Sequence, residues 1–137
     1  LGGMLANHLN CRFVFTEKDS EDNHKIRDSL SGLIRGSRVL VSEDIVTSGK
    51  TVLEVASLVS DQGAVVVGAS VLWVRGKDVR TVFPVVSLIN KVLPDWDEKV
   101  CPLCKRFQPI RTDLGHGGEF LAMYGTDPIN WPANKLS

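Results

Sequence analysis

The chain lacks any run of about eighteen apolar residues, so it offers no candidate membrane-spanning helix. No secretory signal pattern is visible either. Sixteen basic residues meet sixteen acidic ones, and the formal net charge is zero. No global field therefore draws the protein to nucleic acid or to an acidic membrane surface. Repeats and low-complexity tracts are absent, which argues against a solenoid or a linker. Cysteine is scarce, with three residues, too few for a disulfide framework and suited to a reducing cytoplasm. The Walker pattern Gly-x-x-x-x-Gly-Lys is missing. What is present is an ordinary soluble-domain composition: 137 residues, 43% apolar and 23% charged, enough for one domain with one core.

The informative stretch runs Val39-Leu40-Val41-Ser42-Glu43-Asp44-Ile45-Val46-Thr47-Ser48-Gly49-Lys50-Thr51. Val39 to Val41 reads as a buried strand of a parallel sheet, with apolar cover expected on both faces. After Thr51, Val52, Val55, Ala56 and Val59 recur at helical spacing, and Leu53 and Leu58 widen the stripe. Gly63 suits the position just past the helix end. The loop of Thr47, Ser48, Gly49, Lys50 and Thr51 is thus expected on a helix N-terminus. Unpaired N–H groups and the helix dipole favour an anion there. The three hydroxyls add donors, and Gly49 permits close backbone approach. Lys50 either adds charge or points into solvent. Glu43 and Asp44 are expected at the carboxyl end of the strand, where open α/β sheets place ligands. Beside a phosphate, two carboxylates have two uses: accepting hydrogen bonds from ribose hydroxyls, or holding Mg²⁺ that bridges to a diphosphate.

This run resembles the phosphoribosyl pyrophosphate (PRPP) motif of type I phosphoribosyltransferases, most of all the orotate phosphoribosyltransferases. The resemblance implies an α/β fold with a mostly parallel sheet flanked by helices. It implies that Glu43 and Asp44 contact the ribose, that residues 47–51 bind the 5′-phosphate, and that Ile45 and Val46 are apolar filling. Leu1-Gly2-Gly3 and the apolar residues after it look like the end of the family's pyrophosphate loop and its helix, so Gly2 and Gly3 would offer backbone N–H groups to pyrophosphate. Arg12 to Lys18 looks like the next strand, with Lys18 a catalytic cation. Residues 19–36 are charged and poorly periodic. In the orotate enzymes a mobile loop lies hereabouts, and His24, Lys25 and Arg27 are further cations available to it. Residues 64–74 form a long β-branched run ending at Arg75, which matches the arginine that binds the base carboxylate. Val74 stands where the family usually has Asp. Val85 to Leu88 reads as another strand.

The likeness covers about residues 1–110, with a core over 1–92 and an irregular tail over 93–137 whose aromatics are expected to pack on the core. Because the chain starts at Leu1 within the resembled pyrophosphate loop, an N-terminal truncation is expected, without the first core strand and hood. The tail carries Pro94, Pro102, Pro109, Pro128 and Pro132, with Trp96, Phe107, Phe120, Tyr124 and Trp131 among them. It reads as coil with short local structure. Cys101 and Cys104 form one C-x-x-C, half a zinc site at most, with His116 as a third ligand and Cys11 or His24 a fourth only by accident of the fold. Structural zinc is not favoured. Gly115 to Glu119 reads as a flexible turn rather than a phosphate cradle.

The function implied is Mg²⁺-dependent transfer of a phosphoribosyl group from PRPP to a nucleobase, orotate being favoured by Arg75, with release of pyrophosphate. The implied setting is a cytoplasmic homodimer with no nucleic acid or membrane partner. Thr47, where purine-salvage relatives carry an acid, argues against the hypoxanthine-guanine branch. Thr47 and Val74 leave a second reading, a PRPP- or nucleotide-sensing regulator of the same fold without turnover.

Overall fold

The computed structural model describes residues 1–97 and 100–124, so Pro128, Trp131 and Pro132 of the tail lie outside the described residues. The chain divides into two compact units, Leu1–Leu93 and one beginning at Pro94.

In the first unit, helix α1 (Gly2–His8) is followed by a hairpin of two short strands, β1 (Glu17–Lys18) and β2 (His24–Lys25). Then come α2 (Asp28–Ile34), β3 (Arg38–Val46), α3 (Lys50–Asp61), β4 (Val65–Val74) and β5 (Val85–Asn90). Strands β3, β4 and β5 form one parallel sheet in that order. Helix α3 is the crossover of a β-α-β unit, and its apolar stripe lies on the sheet. Val52, 1% exposed, packs with Val41, Val46, Ala69 and Val71. Burying a side chain of this kind stabilises the fold by roughly 1.5–3 kcal/mol. Ile34, Val59 and Ala64 form a second cluster, joined by Val14 and Ile26, which ties α2 and the hairpin region to α3.

The end of α3 shows how locally the chain specifies its turns. Gly63 has φ +78°. Its N–H bonds to the Ser60 carbonyl at 2.8 Å, and the Ala64 N–H bonds to the Val59 carbonyl at 3.3 Å. This nested pair is the Schellman arrangement, which a left-handed residue makes possible.

Within the first unit, four expectations change. First, among the described residues α3 covers one face of the sheet, while Leu40, Leu72, Val86 and Leu88 on the other are 41%, 38%, 69% and 81% exposed. Second, β3 does not end at the acids. It runs through Glu43 and Asp44 to Val46, because β4 supplies paired residues that far, Glu43 opposite Val71 and Val46 opposite Val74. Third, only Glu17–Lys18 of the expected 12–18 strand is regular; residues 12–16 enter no ladder among the described residues. Fourth, residues 19–36 hold ordered elements rather than a loop. The Asp19 carboxylate accepts hydrogen bonds from the N–H groups of Glu21 (2.8 Å) and Asn23 (3.0 Å), which closes the hairpin. Asp28 then opens α2 in the first turn, where an acid suits the dipole.

The second unit contains α4 (Pro102–Lys105) and α5 (Gly117–Tyr124). Gly117 to Glu119, expected in a flexible turn, instead open a helix, and His116 Nδ1 lies 2.8 Å from Glu119 Oε2. No helix among the described residues is long and apolar enough to cross a membrane.

Candidate phosphate and ribose site

The site is built where β3 and β4 end side by side. Val41 and Val46 belong to one core cluster although an odd number of positions separates them. The register with β4 stays constant from Leu40 to Val46. Glu43 and Asp44 lie within that stretch. Adjacent residues of a regular strand point apart, yet the Asp44 carboxyl lies close enough to act directly on that of Glu43. Glu43 Oε1 also accepts from the Asp44 N–H at 3.1 Å, and Asp44 Oδ1 accepts from the Ile45 N–H at 2.7 Å.

The electrostatics follow from this crowding. Partial burial pushes the Glu43 carboxyl above its ordinary value, and the neighbouring Asp44 carboxylate pushes the same way. The Asp44 N–H bond and the positive influence of His24 act against them. His24 is placed near Glu43 by the hairpin, with its Nδ1 3.1 Å from Thr16 Oγ1.

After Val46 the loop turns onto α3. Gly49 is its N-cap, at φ +89°, and the Leu53 N–H bonds to the Gly49 carbonyl at 2.9 Å. Ser48 Oγ accepts from the Lys50 N–H at 3.3 Å. Residues 45–52 line a small open concavity. Thr47 and Ser48 are exposed and Thr51 is half-buried, so hydroxyls and first-turn N–H groups stand together at the positive end of a twelve-residue helix. Lys50 takes the solvent option. Its side chain is 82% exposed and reaches Glu54 along the helix at 3.7 Å.

The remaining candidates are placed as follows. Lys18 pairs with Asp22 across the hairpin turn at 2.7 Å. Gly2 and Gly3 sit in the first turn of α1, where N–H groups have no intrahelical acceptor. Gly2 has a packing reason too: a Cβ there would meet the Phe13 ring at 2.6 Å. Arg75 follows β4 and donates from Nε to Thr47 Oγ1 at 3.0 Å. Val74, at the position of the expected acid, packs against the core. Cys101 caps α4, with Cys104 inside it, and hydrogen bonding from the Cys104 backbone holds the Cys101 thiol below its ordinary value. His116 is engaged with Glu119. Among the described residues no three His, Cys, Asp or Glu side chains gather as a metal centre.

The β4–β5 connection was not legible as part of the site. Gly76, Val79 and Arg80 border the loop of residues 47–51. A Cβ at Gly76 would lie 1.6 Å from the Thr47 carbonyl oxygen, and one at Gly49 would lie 3.3 Å from the Arg80 carbonyl oxygen. The available signal was position alone: Gly76 lies just past the carboxyl end of the strand beside β3, the ligand side of a parallel sheet.

Comparison with known proteins identifies the family. The family pattern described as the phosphoribosyl transferase domain matches residues 1–107. The orotate phosphoribosyltransferase of Caldicellulosiruptor bescii is 33% identical over 107 residues, covering 77% of this chain and 55% of that protein. The orotate phosphoribosyltransferase of Thermus thermophilus is 32% identical over 112 residues, covering 80% and 60%. That of Caldanaerobacter subterraneus is 34% identical over 118 residues, with the same coverage of 80% and 60%. The chain thus spans little more than half the length of the relatives it matches. With the parallel sheet, the paired acids and the hydroxyl loop on α3, the matched domain places this chain in the phosphoribosyltransferase family.

Proposed function

We propose that the protein transfers the phosphoribosyl group of PRPP to a nucleobase, releasing pyrophosphate, and that the base is orotate. The observation that carries this is the placing of Glu43 and Asp44, consecutive acids near the end of β3, just ahead of the Thr47–Thr51 loop that opens α3. The loop's hydroxyls and N–H groups suit the 5′-phosphate, and the acids suit the ribose hydroxyls. As pyrophosphate departs, C1 of the ribose gains cationic character, as in glycoside chemistry. Glu43 and Asp44 supply negative charge beside it, so positioning and electrostatics carry the rate. Lys18, Gly2 and Gly3 are assigned to the pyrophosphate side. The similarity to orotate enzymes supports the choice of base.

The donor set fits Mg²⁺. Two adjacent carboxylates favour a hard cation, and Mg²⁺ takes one or two carboxylates while keeping waters and substrate phosphates. Glu43 and Asp44 would hold it, directly or through water, and it would supply neutralisation of the diphosphate charge. The reading includes a homodimer in the cytoplasm.

A pyrophosphate-release assay of the purified protein with PRPP and orotate, uracil, adenine, hypoxanthine or guanine tests the proposal. Release with orotate alone supports it, and preference for another base overturns the choice of orotate. The second reading, a PRPP-binding regulator, is favoured by Val74, which offers the base no polar group. It predicts PRPP binding in calorimetry with no release for any base.

A further inference from the structure

Thr47 is held from outside its own loop. Val46 and Val74 are paired at the ends of adjacent parallel strands. The Arg75 N–H continues that pairing to the Val46 carbonyl at 2.9 Å. Arg75 Nε then donates to Thr47 Oγ1 at 3.0 Å, while Gly76 packs so closely on the Thr47 carbonyl that no side chain fits. A hydroxyl has one proton and two lone pairs. Once its oxygen accepts from a guanidinium, its proton is left to donate elsewhere, and the charged donor strengthens that donation. The rest of the guanidinium's fork of N–H groups stays beside the same loop.

We propose that Arg75 is a positioning residue of the phosphate loop: it fixes the Thr47 hydroxyl as a donor to the sugar 5′-phosphate, and so sets affinity for PRPP rather than for the base. This rests on the reading of residues 47–51 as the 5′-phosphate site. It reassigns Arg75 from the carboxylate of the base, the role the resemblance implies, to the phosphate of the sugar.

The test is a double-mutant cycle read by calorimetry with PRPP, using wild type, Arg75→Gln, Thr47→Val and the double variant. Each single change is expected to weaken PRPP binding about tenfold, the effect of one charge-assisted hydrogen bond. The double variant should bind about as weakly as either single variant, because both remove one device. Arg75→Lys keeps the charge without the fork and should recover only part of the loss. Where turnover is measured, Arg75→Gln should raise KM for PRPP and leave KM for orotate within about twofold. Additive losses in the cycle, or unchanged PRPP affinity with a raised KM for orotate, overturn the proposal. Wild-type protein that binds PRPP but releases no pyrophosphate overturns the catalytic reading alone, since the binding cycle still decides the role of Arg75.

Discussion

Glu43 Oε1 accepts a hydrogen bond from the Asp44 N–H at 3.1 Å, and the Asp44 carboxyl is near enough to push the Glu43 carboxyl upward. Two acids at consecutive strand positions are thereby brought to one place, at an electrostatic cost. The cost appears as the raised Glu43 carboxyl, displaced upward from 4.5 by burial first and by Asp44 in addition.

That displacement has a sign in stability. The native state holds its Glu43 proton to higher pH than the unfolded chain does. Its contribution is complete below the ordinary carboxyl value and is lost as pH rises through the raised one. Glu43→Gln keeps the acceptor oxygen and removes the charge. Urea unfolding should show the variant gaining on wild type as pH rises from 4 toward 7. The gain should be about a few tenths of a kcal/mol, since the carboxyl keeps solvent contact. A gap that shrinks with rising pH would contradict the account.

Gly49 and Gly63 flank α3, both in the left-handed region, but only Gly49 touches the site. Alanine at either should cost about 1–2 kcal/mol of stability through backbone strain. Gly49→Ala should also weaken PRPP binding, since its carbonyl neighbour from Arg80 lies 3.3 Å from the new Cβ. Gly63→Ala should leave PRPP affinity unchanged. Calorimetry beside thermal unfolding separates the two.

Gly76→Ala is expected to be worse than either for the loop. Its Cβ would occupy the space of the Thr47 carbonyl, and the backbone must move by more than a side chain could yield. A loss of about 1–3 kcal/mol is expected from overpacking, together with weaker PRPP binding. Thermal unfolding and calorimetry on the same preparation check both.

Much of this was legible because it is local. The α3 stripe, its stop at Gly63 and the order of acids, hydroxyls and helix all depend on neighbours within a few residues. The extent of β3 was not, because Ile45 and Val46 alone do not continue the strand past the acids until β4 supplies partners opposite them. The hairpin escaped notice for a similar reason: two-residue strands among charged residues carry no periodicity, and their order comes from the Asp19 turn and the Glu17–Arg27 ion pair. Arg75 and Thr47 are 28 residues apart. Only the parallel register of β3 and β4 brings them together, and no spacing in the sequence encodes it.

The central claim is that Glu43 and Asp44 serve the phosphoribosyl group held by residues 47–51. The most direct measurement is pyrophosphate release from PRPP and orotate by wild type and by the Glu43→Gln, Asp44→Ala double variant, with folding of both verified by circular dichroism. The account predicts turnover by wild type and its loss, by at least about a hundredfold, in a variant that remains folded. Undiminished turnover by the folded double variant would contradict it.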